Sequence, residues 1–308
     1  MLREETVFGP IKSRRLGNSL GINLLPTKGK ICNFDCVYCE CGWNADGRSD
    51  TVLPTAAQVR SALEDKLTAL MLDGTPIDSI TFSGDGEPTL NPEFPRIIDD
   101  TLILRDAFCP GAKVSVLSNA TRVHIPEVFG ALRKVDNPIM KIDAPTDALA
   151  AVINRPAPGY SVARVVEALK QFNGDFVLQT MFLRVRDSSA PARPSPGTAE
   201  GAAMHETADG ETWPGTTEGA ARHGTAEGAE AHGTAEGAEA HAQYLFDSGA
   251  PEVLEPWMDI VRTLRPRLVQ VYSIDRPTPS QDLEKYSTDD MRRLTAPLLQ
   301  EGFQVQYR

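Results

Sequence analysis

The sequence predicts an α/β protein: a partial (β/α)6 barrel interrupted by one long insert. Two observations carry this. Strand-like and helix-like runs alternate along the chain, which implies a parallel sheet covered by helices, and right-handed crossovers curl six such units into an open barrel. The two stretches with chemical character, a cysteine-rich loop after the first strand and a Gly-rich turn after the second, both fall at C-terminal ends of strands, where such folds place their chemistry. With 308 residues, 41% of them hydrophobic, the chain can fill one large core.

The first strand is expected over residues 19–25 and is ended by Pro26. Residues 1–18 read as a solvated lead-in or, through Lys12, Arg14 and Arg15, as a basic finger over the site. Residues 55–72 carry Val59, Leu63, Leu67 and Leu70 at helical spacing, with Thr55 as N-cap and Gly74 as stop. Strands follow at 79–83, 113–118, 138–144, 176–185 and 268–274. Helices are expected at 92–108, 124–132, 161–172, 251–264 and 288–300, with a last strand at 304–307.

Residues 187–242 break the pattern. They are rich in Gly, Ala, Glu, Thr and Pro, and a nine-residue unit beginning at His223 recurs at His232. Such a segment buries too little apolar surface to offset the entropy of ordering, so it reads as a disordered insert between barrel segments 1–186 and 243–308. His205, His223, His232 and His241 lie in it; spaced His with Glu is a metal-binding pattern, but a drifted repeat explains them more simply. Residues 187–241 hold ten acidic and two basic residues, so −8 of the net charge of −11 lies there. The remaining chain is near neutral and lacks the basic excess of a dedicated nucleic-acid binder, so the charge gives tRNA no support as a partner.

Four of the five cysteines sit in one loop. Cys32, Cys36 and Cys39 have C-x3-C-x2-C spacing, which can cap three irons of a cubane cluster and leave the fourth iron open. Cys41 as a fourth ligand would close the cluster into an electron carrier. Structural zinc is the other reading, but zinc usually takes two separated Cys or His pairs, and the remaining cysteine is Cys109, read as packing. The absence of a secretory pattern and of any membrane-length apolar run points to a cytoplasmic protein with no membrane partner and reduced thiols.

The cysteine spacing, with Tyr38 just before the third cysteine, resembles the radical S-adenosylmethionine (SAM) superfamily. Gly84-Asp85-Gly86-Glu87-Pro88 resembles that superfamily's Gly-Gly-Glu-Pro turn, with Asp85 where Gly is common. The wider resemblance, through Gly9-Pro10, Ser19–Asn23, Lys141-Ile142-Asp143, Asn154-Arg155-Pro156 and Asp275-Arg276-Pro277, is to bacterial and archaeal iron–sulfur oxidoreductases related to the wyosine-tRNA synthesis enzymes. The resemblance implies the radical SAM type of partial barrel. It also implies a [4Fe-4S] cluster on Cys32, Cys36 and Cys39, SAM as cofactor, and an electron donor such as flavodoxin or ferredoxin. Tyr38 would then pack by the adenine, while Gly84, Asp85, Gly86 and Glu87 hold the methionine ammonium. Ser118 and Asn119 would contact the ribose or methionine end. Lys141 and Asp143 alternate on one strand and are expected inside the mouth, near ribose or substrate, since a charge pair there must be paired or bind ligand. Arg276 reads as an anion clamp or a salt-bridged surface arginine.

Overall fold

In the computed structural model, which describes residues 4–13, 17–47, 50–187 and 244–308, strands and helices alternate as expected. In chain order they are β1 (Val7–Ser13), β2 (Gly17–Ile22), α1 (Ala56–Leu72), β3 (Ser79–Phe82), α2 (Phe94–Phe108), β4 (Lys113–Ser118), α3 (Pro126–Leu132) and β5 (Asn137–Lys141). Next come α4 (Asp147–Ile153), α5 (Val162–Leu169), β6 (Val177–Met181), β7 (Leu183–Arg186), β8 (Tyr244–Asp247) and α6 (Pro251–Leu264). The chain closes with β9 (Leu268–Tyr272), β10 (Leu283–Lys285), α7 (Thr288–Leu294), α8 (Ala296–Gln300) and β11 (Val305–Tyr307). Eight strands form one open sheet in the order β1-β2-β3-β4-β5-β6-β9-β11. Strand β1 is antiparallel to β2, and every other neighbouring pair in that sheet is parallel.

Period-two alternation explains how the sheet is covered. Leu20, Ile22, Ile80, Phe82, Val114, Val116, Val269 and Val271 are buried in the apolar core, which also holds Val59, Leu63 and Leu67 of α1 and Ile97, Ile98 and Leu104 of α2. The alternate residues face inward and are polar. Ser19 and Thr81 share a hydrogen bond of 2.8 Å, Ser79 bonds Thr81 at 3.1 Å, and Gln179 donates to Gln270 at 3.3 Å. The sheet curls around this polar interior. Phe8 and Ile11 of β1 line the same space as Tyr272 of β9, although four strands of the sheet beyond β2 separate them in pairing order. This is the expected partial barrel.

Several elements differ from expectation. Part of the lead-in is strand β1: Val7 is buried, and Phe8 occupies the room left by the missing side chain of Gly21. Arg14 and Arg15 lie outside the described residues, as do 188–243 with the repeat and four histidines. The strand expected at 176–185 is two strands. Met181 N–H turns to Asp143 Oδ1 at 2.8 Å, and β7 leaves for a separate sheet of order β10-β7-β8. Helix α4 was not anticipated; Thr146 caps it by accepting from Leu149 N–H at 3.3 Å. The last helix breaks at Thr295, whose hydroxyl bonds Met291 O at 2.8 Å ahead of Pro297. Among the described residues no helix is long and apolar enough to cross a membrane.

Asp136, in the turn before β5, ties that turn to β4 and α2. It accepts from Val114 N–H at 2.9 Å, Arg105 at 2.9 Å and Lys113 at 3.1 Å. Burial alone would raise its pKa, but the Val114 N–H and the two cations outweigh burial and hold it below 3.8. A depressed carboxylate stabilises the fold above its unfolded pKa and loses that contribution as pH falls through its folded pKa. Asp136→Asn is therefore expected to cost about 1–3 kcal/mol at neutral pH. In urea titrations the difference from the parent should shrink as pH is taken below 3.8.

Candidate active site

The cysteine loop leaves β2 and crosses the barrel mouth, where it meets the turn that follows β3. Ile31 N–H donates to Asp85 O at 3.1 Å, and Glu87 N–H donates to Ile31 O at 3.1 Å, forming a one-residue parallel bridge between Ile31 and Gly86. Both glycines of the turn are needed for this approach. A Cβ on Gly86, where φ is +140°, would overlap the Ile31 carbonyl; one on Gly84 would overlap the Asn23 amide. Gly86 thus brings backbone against the protein's own cysteine loop, and Gly84 leaves room for Asn23. Asn23 braces the turn: its Oδ1 accepts from Asp85 N–H at 3.1 Å and its Nδ2 donates to Asp85 Oδ2 at 3.3 Å.

Cys32, Cys36, Cys39 and Cys41 line one cavity of about 260 Å³ with Tyr38, Gly84, Gly86, Glu87, Ser118, Asn119, Lys141 and Tyr272. Cys32 Sγ accepts from Phe34 N–H at 3.4 Å and Asn119 Nδ2 at 3.8 Å. Cys36 Sγ accepts from Asn154 Nδ2 at 3.4 Å. Burial pushes the Cys36 thiol up to about 11, with Asp143 adding to the rise. Burial and the Cys36 sulfur likewise raise Cys32. Contact between the Cys39 and Cys41 side chains holds the Cys39 thiol down and pushes the Cys41 thiol up, and Cys41 Sγ lies 3.7 Å from Asp85 Oδ1. Among the described residues no three His, Cys, Asp or Glu side chains converge on a single metal ion. Thiols spread around a shared cavity suit a multinuclear cluster, in which each thiolate takes a different iron.

Lys30 was not singled out from the sequence, yet its side chain is 1% exposed beneath the loop. Its ammonium donates to Gly42 O at 2.6 Å and lies 3.4 Å from Asp35 Oδ1. Burial lowers its pKa, but the Cys39 and Cys32 sulfurs and Asp35 more than offset this. A buried cation next to thiolates is a counter-charge for whatever anionic cluster they hold.

Glu87 is buried and caps the short turn Pro88–Leu90. It accepts from Thr89 Oγ1 at 2.6 Å, Ser118 Oγ at 2.9 Å and Asn119 N–H at 2.7 Å; burial still leaves its pKa raised. Ser118 and Asn119 therefore orient Glu87 and Cys32. Asp143 is not on the cavity lining. It accepts from Tyr38 Oη, from Asn154 Nδ2 at 2.8 Å and from Met181 N–H, with the Lys141 ammonium at 3.4 Å. Lys141 reaches the cavity, bonded to Tyr272 Oη and 5.0 Å from the Tyr38 ring centre. Asn154 bonds Cys36, Tyr38 and Asp143 from one amide. Arg276 pairs with Glu40 at 2.7 Å, the residue after Cys39. Cys109 packs against the core at the end of α2.

The comparisons with known proteins fit this geometry. The sequence model of a family described as the Radical SAM superfamily matches residues 27–185. A UPF0026 protein of Helicobacter pylori is 32% identical over 191 residues, covering 60% of this chain and 58% of its own length. A UPF0026 protein of Methanocaldococcus jannaschii is 30% identical over 183 residues, covering 57% and 53%. The chain thus spans little more than half of these curated relatives. A radical SAM methyltransferase structure from Sphaerobacter thermophilus covers 94% of this chain and 65% of its own at TM-score 0.58 and 14% identity. The Streptococcus suis SuiB structure bound to S-adenosylmethionine covers 94% and 50% at TM-score 0.52 and 13% identity. At these identities the solved structures share the fold.

Gly86→Ala is expected to part the turn from the cysteine loop. Reconstituted protein should then retain less than roughly a third of the parent's iron, because the variant residue must adopt a φ that L side chains avoid while meeting backbone. Gly111→Ala, whose Cβ meets nothing within 4 Å, should bind iron like the parent. Iron assay alongside far-UV circular dichroism checks the pair.

Proposed function

Because the chain belongs to the radical S-adenosylmethionine superfamily, whose members use a [4Fe-4S] cluster and SAM, we propose that it is a radical SAM enzyme acting by hydrogen abstraction. The observation that carries this is the shared cavity: the three cysteines at C-x3-C-x2-C spacing open onto the same space as Glu87 and its glycine turn. A cluster held by Cys32, Cys36 and Cys39 would supply the one electron for reductive cleavage of a carbon–sulfur bond of SAM, the chemistry from which a 5′-deoxyadenosyl radical and hydrogen abstraction would follow.

Cys32, Cys36 and Cys39 hold the cluster, and Lys30 offsets its charge from below. Glu87, fixed by Thr89, Ser118 and Asn119, presents its remaining lone pairs to the methionine ammonium. A raised carboxylate pKa favours a cationic partner, since an ammonium repays the burial of the charged form. Tyr38 is anchored through its hydroxyl by Asp143 and Asn154 and lines both the cysteine cavity and the adjoining one. That position supports a role for the ring between nucleoside and substrate. The adjoining cavity, of about 320 Å³, shares Tyr38, Glu40, Ser83, Leu117, Met181 and Tyr272 with the first. We assign it to the substrate.

A second reading makes Cys41 a fourth ligand in a closed electron-transfer site, because Cys41 lines the same cavity. Its thiol faces the Asp85 carboxylate and Gly84 O, which stabilise the protonated form rather than a ligating thiolate.

Anaerobic reconstitution separates the readings. Alanine at Cys32, Cys36 or Cys39 should each abolish the cluster and all 5′-deoxyadenosine formation with dithionite and SAM. Cys41→Ala should keep the cluster and at least about half of the parent's 5′-deoxyadenosine yield. Loss of the cluster in Cys41→Ala would establish the closed site instead.

A further inference from the structure

Each of the three spaced cysteines receives a hydrogen bond from a different side chain. Cys32 Sγ accepts from Asn119 Nδ2 at 3.8 Å, and Cys36 Sγ accepts from Asn154 Nδ2 at 3.4 Å. Cys39 takes its bond from the Lys30 ammonium. The first two donors are neutral amides. The third is charged, and Lys30 is the single lysine or arginine among the described residues that is fully buried.

The chain after the cysteines folds back to seal Lys30. Its N–H donates to Gly47 O at 2.9 Å, and a Cβ on Gly47 would come within 2.5 Å of Lys30 N. Three acceptors surround the ammonium and match its three N–H bonds: Gly42 O at 2.6 Å, Asp35 Oδ1 at 3.4 Å and the Cys39 sulfur. Asp35 also accepts from Asn44 N–H at 2.8 Å, and its side chain is 29% exposed, so water shares in screening it. A neutral amide could pin the same loop without the cost of burying a charge. That cost is offset by negative charge on the sulfur side, toward the cavity that Lys30 and Cys39 both line.

We propose that Lys30 sets the reduction potential of the cluster, acting through the Cys39 sulfur as a positioning residue. The inference rests on the reading of a reducible cluster on Cys32, Cys36 and Cys39. Reduction adds one electron and no proton, so the bound cluster becomes more negative while Lys30 keeps its charge. A fixed cation in a water-poor site stabilises the reduced form more than the oxidised one, and N–H bonds to cluster sulfurs act in the same direction. Lys30 therefore holds the potential above the value the thiolates and the two amides alone would give.

The test uses the full chain, reconstituted anaerobically and titrated with dithionite in the presence of redox mediators. The reduced cluster is followed by electron paramagnetic resonance. Lys30→Gln keeps a donor and removes the charge. At the parent's midpoint its ratio of reduced to oxidised cluster should fall about ten-fold, a shift of ~59 mV for a one-electron couple. Asp35→Asn keeps the acceptor for Asn44 N–H and removes the opposing charge, so its ratio should rise, by roughly two- to three-fold. Asp46→Asn, at an exposed position of the same loop, should titrate like the parent. A loop that was merely loosened would not shift in opposite directions in the first two variants. If Lys30→Gln holds too little iron to titrate, Asp35→Asn decides: a rise supports the role and an unchanged midpoint overturns it. Lys30→Gln with the parent's iron and the parent's midpoint would reduce Lys30 to a pin for the loop, as would a fall in both variants. A parent that assembles the cluster but yields no 5′-deoxyadenosine fails the proposed reaction, while the midpoints still decide the role of Lys30. A parent that assembles no cluster removes the cluster reading, and the role of Lys30 with it.

Discussion

The site depends on one backbone bridge. Ile31 donates to Asp85 O and accepts from Glu87 N–H, so the cysteine loop and the glycine turn are fastened at a single residue. The bridge fixes the distance from Cys32, one residue after Ile31, to the Glu87 carboxylate. In a sheet where β2 and β3 are parallel neighbours, both loops leave from the same end, and the bridge continues their pairing one step beyond the strands. A side chain at Gly86 would prevent this, and one at Gly84 would displace the Asn23 that braces the turn. The turn's composition is therefore first a requirement for packing protein on protein, and its use toward a ligand follows from the position this packing creates.

A cavity holding Lys30, Lys141 and Glu87 with Asp143 behind it is costly unless each charge is answered. Three of the four are answered internally. Asp143 is saturated by Tyr38, Asn154, Met181 and Lys141, and Lys141 divides its charge between Asp143 and two tyrosine rings. Lys30 faces sulfur. Glu87 differs: it accepts several neutral donors but has no cation, and burial keeps its pKa raised. That imbalance is what supports Glu87 as the proposed partner of a cationic ligand.

What the sequence made legible was local. The cysteine spacing, the glycine turn one strand later and the apolar period of α1 are each contained in a few consecutive residues. The residues that support them come from far along the chain. Asn154 bonds Cys36 across 118 positions and Lys141 bonds Tyr272 across 131. No short-range pattern announces such pairs. Strand β1 was hidden because Gly9-Pro10 interrupts its alternation and because its role, covering Gly21 with Phe8, depends on the neighbouring strand. Strands β8 and β10 are four and three residues long and pair with β7 outside the main sheet, too short for periodicity to show. Asp143 illustrates the limit from the other side. Its place inside the barrel followed from alternation, but alternation could not reveal that protein groups occupy it.

The barrel interior also divides by chemistry. Below the mouth, Ser19, Ser79, Thr81 and Ser115 satisfy one another, as do Gln179, Gln270 and Gln306. Small hydroxyls and paired amides at these inward positions fill the base of the barrel with a closed polar ladder that has few donors left to offer. At the mouth the inward residues become Tyr38, Lys141, Met181 and Tyr272, larger groups anchored by the Asp143 node. Reactive space is thereby confined to a shallow layer beneath the cysteine loop, bounded by tyrosine rings whose hydroxyls are already committed.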